Sequence, residues 1–131
     1  MRTIKIYCKE CKSEITSELT EISESMLFWD ENDQNIIQKG KFSFLKNQES
    51  NNKRIIVALD VYNLKNHSDI NRFAGCCGSD GGNGLNKLCL NGHEVATEVS
   101  DCWTAHYVEF DCNKIIIEEK IDNDTYKEFK I

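Results

Sequence analysis

The chain has 131 residues, a formal net charge of −6, 40% hydrophobic residues and no proline. That length suits one domain, 1–131, with a modest core that a bound metal would usefully supplement. The cations at Lys39, Lys41, Lys46, Lys53 and Arg54 are scattered in an acidic chain, which argues against nucleic acid, because a phosphate backbone requires a concentrated basic face.

The first residues alternate polar and apolar and predict a strand over Thr3 to Tyr7. Cys8-Lys-Glu-Cys11 interrupts it. Ser13 to Ile22 predicts a returning strand, although Ile15, Leu19 and Ile22 also fit the spacing of one short helix. The apolar run Met26 to Trp29 precedes a polar loop from Asp30 to Gln34. Ile36-Ile37, Lys41 to Leu45 and Arg54 to Tyr62 predict strands, the last two joined as a hairpin across the polar turn Asn47 to Asn52.

Asn63 to Phe73 reads as irregular. Gly75 to Gly84 holds five glycines in ten residues, and such a loop keeps one conformation only if something fixes it. His93 to Val99, Cys102 to Phe110 and Ile115 to Ile121 predict further strands, and the polar tail after Asp122 reads as loose, although Tyr126, Phe129 and Ile131 could pack. The expected fold is therefore mostly β, a meander with room for one short helix.

The N-terminus lacks the apolar core of a signal segment, and no window approaches the roughly 18 apolar residues that a spanning helix needs. A cytoplasmic protein with no membrane association is expected. Disulfides do not persist in a reducing cytoplasm, and the seven cysteines are an odd number. Clustered cysteines there point to metal binding.

Cys8-x-x-Cys11 is the sharpest motif. Two thiolates at that spacing hold one ion when the backbone turns between them, as in a zinc knuckle, and Lys9 and Lys12 favour the thiolate forms. Cys89, in Leu88-Cys-Leu-Asn-Gly92-His-Glu-Val, is the expected third ligand. It resembles the second half of a zinc ribbon, Cys-x-x-Cys-Gly, but the second cysteine of that half is missing. Cys77, followed by Gly78, is the first choice for the fourth ligand of Zn2+ over its neighbour Cys76, and Cys102 and His93 are reserves. Cys112 is expected to be structural.

The segments Phe73 to Asn86, Leu88-Cys89, Glu94 to Glu98 and Ser100-Asp-Cys-Trp-Thr-Ala-His106 together resemble an uncharacterised family of small bacterial proteins. The resemblance implies a compact cytoplasmic protein with cysteine-bound metal and implies no activity. The Cys8/Cys11 pair resembles zinc-ribbon proteins in general.

Two functions of different class follow. One is a non-enzymatic zinc-binding module that recognises another protein, its acidity suiting a basic partner, as in toxin-neutralising immunity proteins. The other is a cysteine-dependent hydrolase or transferase, because Ser100-Asp-Cys-Trp103 is similar to the Cys-Trp step of papain-like and transglutaminase-like enzymes. It would use Cys102 with His93 or His106 as base. The competing reading makes Trp103 a core anchor beside a structural Cys102. A redox switch at Cys76-Cys77 is a rarer option.

Overall fold

In the computed structural model, residues 2–27, 34–46, 53–76 and 78–129 are described. They form ten strands: β1 (Thr3–Cys8), β2 (Leu19–Glu21), β3 (Lys41–Lys46), β4 (Lys53–Val57), β5 (Leu64–Asn66), β6 (Lys87–Cys89), β7 (Glu94–Val99), β8 (Tyr107–Phe110), β9 (Ile115–Lys120) and β10 (Tyr126–Phe129). All ten belong to one mixed sheet in the order β10-β9-β1-β2-β3-β4-β8-β7-β6-β5. The expectation of a mostly β protein holds.

The order departs from a simple meander. β5 to β8 do run as one, but in reverse, and β8 joins the sheet by pairing with β4 through Ile55↔Phe110 and Val57↔Val108. β9 then crosses to the far side and pairs along most of β1, from Ile4↔Glu119 to Cys8↔Ile115. β2 and β3 run parallel.

This topology forces the sheet to curl. β8 and β9 are five strand spacings apart in the order, which is about 24 Å in a flat sheet. The chain between Phe110 and Ile115 reaches only about 18 Å when fully extended. Curling resolves the conflict. Where the sheet meets itself, Asn63 N–H, just before β5, donates to Ile15 O, between β1 and β2, at 2.9 Å.

The concave side encloses the main core, which includes Ile4, Ile6, Cys8, Phe42, Ile55, Val57, Cys89, Val95, Phe110 and Ile117. Period-two alternation places them there: in β1, Ile4, Ile6 and Cys8 are buried while their neighbours are half-buried. β4 is covered on both faces, since Ile55, Ile56 and Val57 are all fully buried. A second cluster of Ile36, Ile37, Leu45, Ile56, Ala58 and Ala105 lies on the outer side.

Several sequence expectations need correction. Ile36-Ile37 is not a strand but a buried bend beside an isolated bridge, Asn35↔His106, so its apolarity reflects burial alone. Ser13 to Ile22 contributes only β2 and a Tyr7↔Glu14 bridge, with no helix. Irregular Asn63 to Phe73 contains β5 and a 3-10 turn, Ile70–Phe73. The tail is β10, paired to β9 from Tyr126↔Lys120 to Phe129↔Ile117, because Phe129 packs on Phe44 with ring centres 5.7 Å apart. Strands expected over Arg54 to Tyr62 and Cys102 to Phe110 are shorter than their apolar patterns. The β3–β4 hairpin is present, with Lys46↔Lys53 as its last pair. Asn47 to Asn52, Phe28 to Asp33 and Cys77 lie outside the described residues.

Candidate metal centre

Two tight turns meet where the sheet closes. The first follows β1. Cys8 N–H donates to Ser13 O at 2.9 Å and Lys12 N–H to Cys8 O at 2.8 Å, and Lys12 takes a left-handed conformation, φ 64°. This brings the Cys8 and Cys11 side chains to one side of the turn. The second joins β6 to β7. Cys89 N–H donates to His93 O at 2.8 Å and Gly92 N–H to Cys89 O at 2.9 Å. Gly92 sits at φ 92°, a region that costs other residues strain. This brings Cys89 and His93 to the same side.

β1 and β6 are six strand spacings apart in the sheet order. Only the curl brings their ends together, and one donor atom from each of Cys8, Cys11, Cys89 and His93 then lies within 4.8 Å of the others. Cys11 Sγ is 3.8 Å from Cys89 Sγ. His93 Nδ1 is 3.7 Å from Cys8 Sγ and 3.3 Å from Cys89 Sγ. Zinc bonds of about 2.3 Å to sulfur and 2.0–2.1 Å to nitrogen make tetrahedral edges of about 3.8 Å for S···S and 3.6 Å for S···N. The donor set fits a four-coordinate ion of that size.

Polar neighbours prepare the cluster for charge. Ser13 Oγ lies 3.1 Å from Cys11 Sγ, and Asn91 Nδ2 donates to that sulfur at 3.2 Å. The Ser13 and Asn91 side chains and the Ser13 amide hold the Cys11 thiol down at about 5. Burial opposes ionisation of Cys89, but hydrogen bonds from the His93 and Asn91 amides and the His93 ring outweigh it and keep that thiol low. Burial pushes the Cys8 thiol up, only partly offset by the Cys11 and Glu10 amides. The Cys89 and Cys11 sulfurs hold His93 above its ordinary value.

The structure therefore gathers Cys8, Cys11 and Cys89, and the fourth donor is His93, held in reserve by the sequence reading. Its signal was the Cys89-x-x-x-His93 step with Gly92 inside it, which suits a tight turn carrying two ligands. Cys77, the expected fourth ligand, lies outside the described residues. Its neighbours belong to another part of the molecule. Cys76 N–H donates to Asp101 Oδ2 at 3.2 Å, and a Cβ on Gly78 would meet Ser100 O at 2.7 Å. Ser100 and Asp101 follow the end of β7, about 17 Å along the strand from its start beside His93.

Cys102 is half-buried in the bend after β7, and His106 Nε2 lies 3.2 Å from Asp101 O. His93 belongs to the sulfur cluster at the opposite end of β7. Trp103 is no core anchor: it is 73% exposed. Cys112 is half-buried against the main core, and burial pushes its thiol up to about 11.

The class defined by fold and site is a curled, mostly β protein with a Cys3His cluster able to hold a metal ion at its closure. Comparison with family models, curated proteins and solved structures finds no match to the chain. Among the described residues, no helix is long and apolar enough to cross a membrane.

Proposed function

We propose that this is a non-enzymatic, zinc-stabilised module of a reducing cytoplasm that acts by binding another protein, with a zinc-ribbon-like clasp of Cys8, Cys11, Cys89 and His93 as its fastening. The observation that carries the metal reading is the four-donor cluster drawn from two turns more than seventy residues apart. Four protein ligands close a zinc site, whereas a catalytic zinc keeps a position open for water or substrate. Three thiolates with one imidazole favour zinc over the oxygen-seeking calcium and magnesium.

Binding a partner is supported by the net charge of −6 and by the exposed Trp103. An exposed tryptophan is a common anchor in protein interfaces. A basic protein partner suits this surface, and neutralising a toxin in the manner of an immunity protein is one such role. Metal analysis with thiol titration before and after chelation tests the clasp. One zinc per chain, with three thiols protected until chelation, is the expected result. A chain purified free of zinc that neither takes it up nor responds to chelator would end this reading. The competing enzyme reading requires Cys102 to react rapidly with iodoacetamide at neutral pH.

A further inference from the structure

We propose that the Cys11–Cys89 pair is an oxidation site, at which a hydroperoxide converts two metal-bound thiolates into a disulfide and expels the metal. This rests on the zinc clasp proposed above and deepens it. Among the three cysteines of the cluster, Cys8 and Cys89 are buried and Cys11 is half-exposed. Cys11 is therefore the sulfur that a small oxidant in solution reaches first. Its nearest sulfur across the closure is Cys89, 3.8 Å away, so the resolving thiolate is already in place.

The chemistry balances with the peroxide as the named oxidant. The Cys11 thiolate attacks one peroxide oxygen, the O–O bond breaks, and a sulfenic acid forms as an alkoxide or hydroxide departs. The Cys89 thiolate then attacks the Cys11 sulfur and expels hydroxide. Two electrons pass from the sulfur pair to the peroxide, and water protonates the departing oxygens. The ion loses two of its four ligands and is released.

The bond formed joins residues 78 apart in sequence. It spans the same closure that the metal spans, so the oxidised chain keeps its curl by a covalent link instead of a coordinate one. A disulfide within Cys8-x-x-Cys11 would lack this property, because both sulfurs sit on one turn. Cys112 lies outside the cluster with its thiol raised by burial, and it takes no part.

The test uses zinc-loaded protein titrated with hydrogen peroxide in the presence of a chromogenic zinc chelator, followed by peptide mapping without reduction. One zinc per chain should appear in step with a cross-linked Cys11–Cys89 peptide, and thiol reductant plus zinc should restore the starting state. Cys112→Ser should behave as the parent. Asn91→Ala removes a donor to the Cys11 sulfur from an exposed position, which leaves the bound thiolate more nucleophilic, so zinc release should speed up severalfold. Zinc release accompanied by a Cys8–Cys11 bridge, or by sulfinic acid without a cross-link, would overturn the assignment. So would zinc retained through excess peroxide. Failure of the clasp itself shows earlier, as absence of zinc before any oxidant is added.

Discussion

The two ends of β7 are fastened by different chemistry. At its start, Cys89 and His93 face Cys8 and Cys11, and four soft donors converge on a point that a metal ion would fill. At its far end, the glycine-rich loop is held by ordinary hydrogen bonds that the protein supplies to itself. Asn86 is fully buried, and its amide nitrogen reaches Ser79 Oγ at 2.9 Å, Glu98 O at 3.1 Å and Arg72 O at 3.2 Å. Its carbonyl oxygen accepts from Glu98 N–H at 2.6 Å. Asp101, also buried, accepts from Cys76 N–H, while Ser79 O accepts from both Ser100 N–H and Asp101 N–H. The loop passes so close to itself that a Cβ on Gly75 would stand 1.8 Å from Gly78 O. The first end gathers donors that could hold a metal ion; the second is tied by the protein's own hydrogen bonds.

The largest effect that separates the two ends comes from Cys89→Ser. A structural zinc contributes about 10–16 kcal/mol of apparent binding free energy, as much as the entire 5–15 kcal/mol net stability typical of a domain. Loss of one buried ligand should therefore abolish zinc binding and unfold the chain, as seen by elemental analysis and circular dichroism. Chelation of the parent protein should do the same. A metal-free variant that keeps the native spectrum would show that the curl closes without the ion.

Asn86→Ala breaks the other end, and its effect should be smaller. It strands buried Ser79 Oγ and the part-buried Arg72 and Glu98 backbone groups, each costing up to about 1–3 kcal/mol when unsatisfied, with water entry offsetting part of the loss. A net loss of roughly 2–4 kcal/mol in urea denaturation is expected, with zinc stoichiometry unchanged. A fall in zinc content would mean that the two ends are coupled through β7.

These two ends also differ in how plainly the sequence announces them. Cys8-x-x-Cys11 and Cys89 stand out because metal ligation demands particular residue types at short spacings. The glycine-rich loop announced only that something must hold it. Asn86 and Asp101 do that work, and they look like any other polar residues until topology buries them. His93 was half-legible: the four-residue step from Cys89 suits ligation, but only the curl shows that it faces Cys8 and Cys11. The strands with alternating patterns, β1, β3 and β7, were readable from period, and β4 and β9 from their β-branched apolar runs. β5 and β10 were not, since they are short and largely polar and exist through pairing with β6 and β9. Trp103 misled because a large apolar side chain is usually buried, and here it faces solvent.

Phe129→Ala probes a fastening that uses neither metal nor buried amide. The ring packs on Phe44 and lies under Arg2, whose guanidinium carbon is 5.0 Å from the ring centre. Partial burial limits the loss to about 1–3 kcal/mol. Thermal unfolding should register it as a modest drop in Tm, with zinc retained. A loss comparable to that of Cys89→Ser would make β10 a keystone of the curl and not an added edge.

The smallest effect belongs to Tyr126→Phe. The Tyr126 hydroxyl donates to the Glu18 carboxylate, which Lys120 Nζ also approaches at 3.1 Å. Hydrogen bonds from Tyr126 and Lys120 hold the Glu18 carboxyl below its ordinary value, while the carboxylate raises the Tyr126 hydroxyl to about 12. A carboxyl depressed by folding favours the folded state above its ordinary titration range. That contribution is lost as pH falls through its lowered folded value. The variant should bring the Glu18 titration back up toward the ordinary carboxylate range in carbon-detected NMR, with Tm unchanged at neutral pH. Glu18 is exposed and Tyr126 half-exposed, so screening by water keeps the energetic change small. An unshifted Glu18 titration would assign the depression to Lys120 alone, and Lys120→Met would then be the variant that moves it.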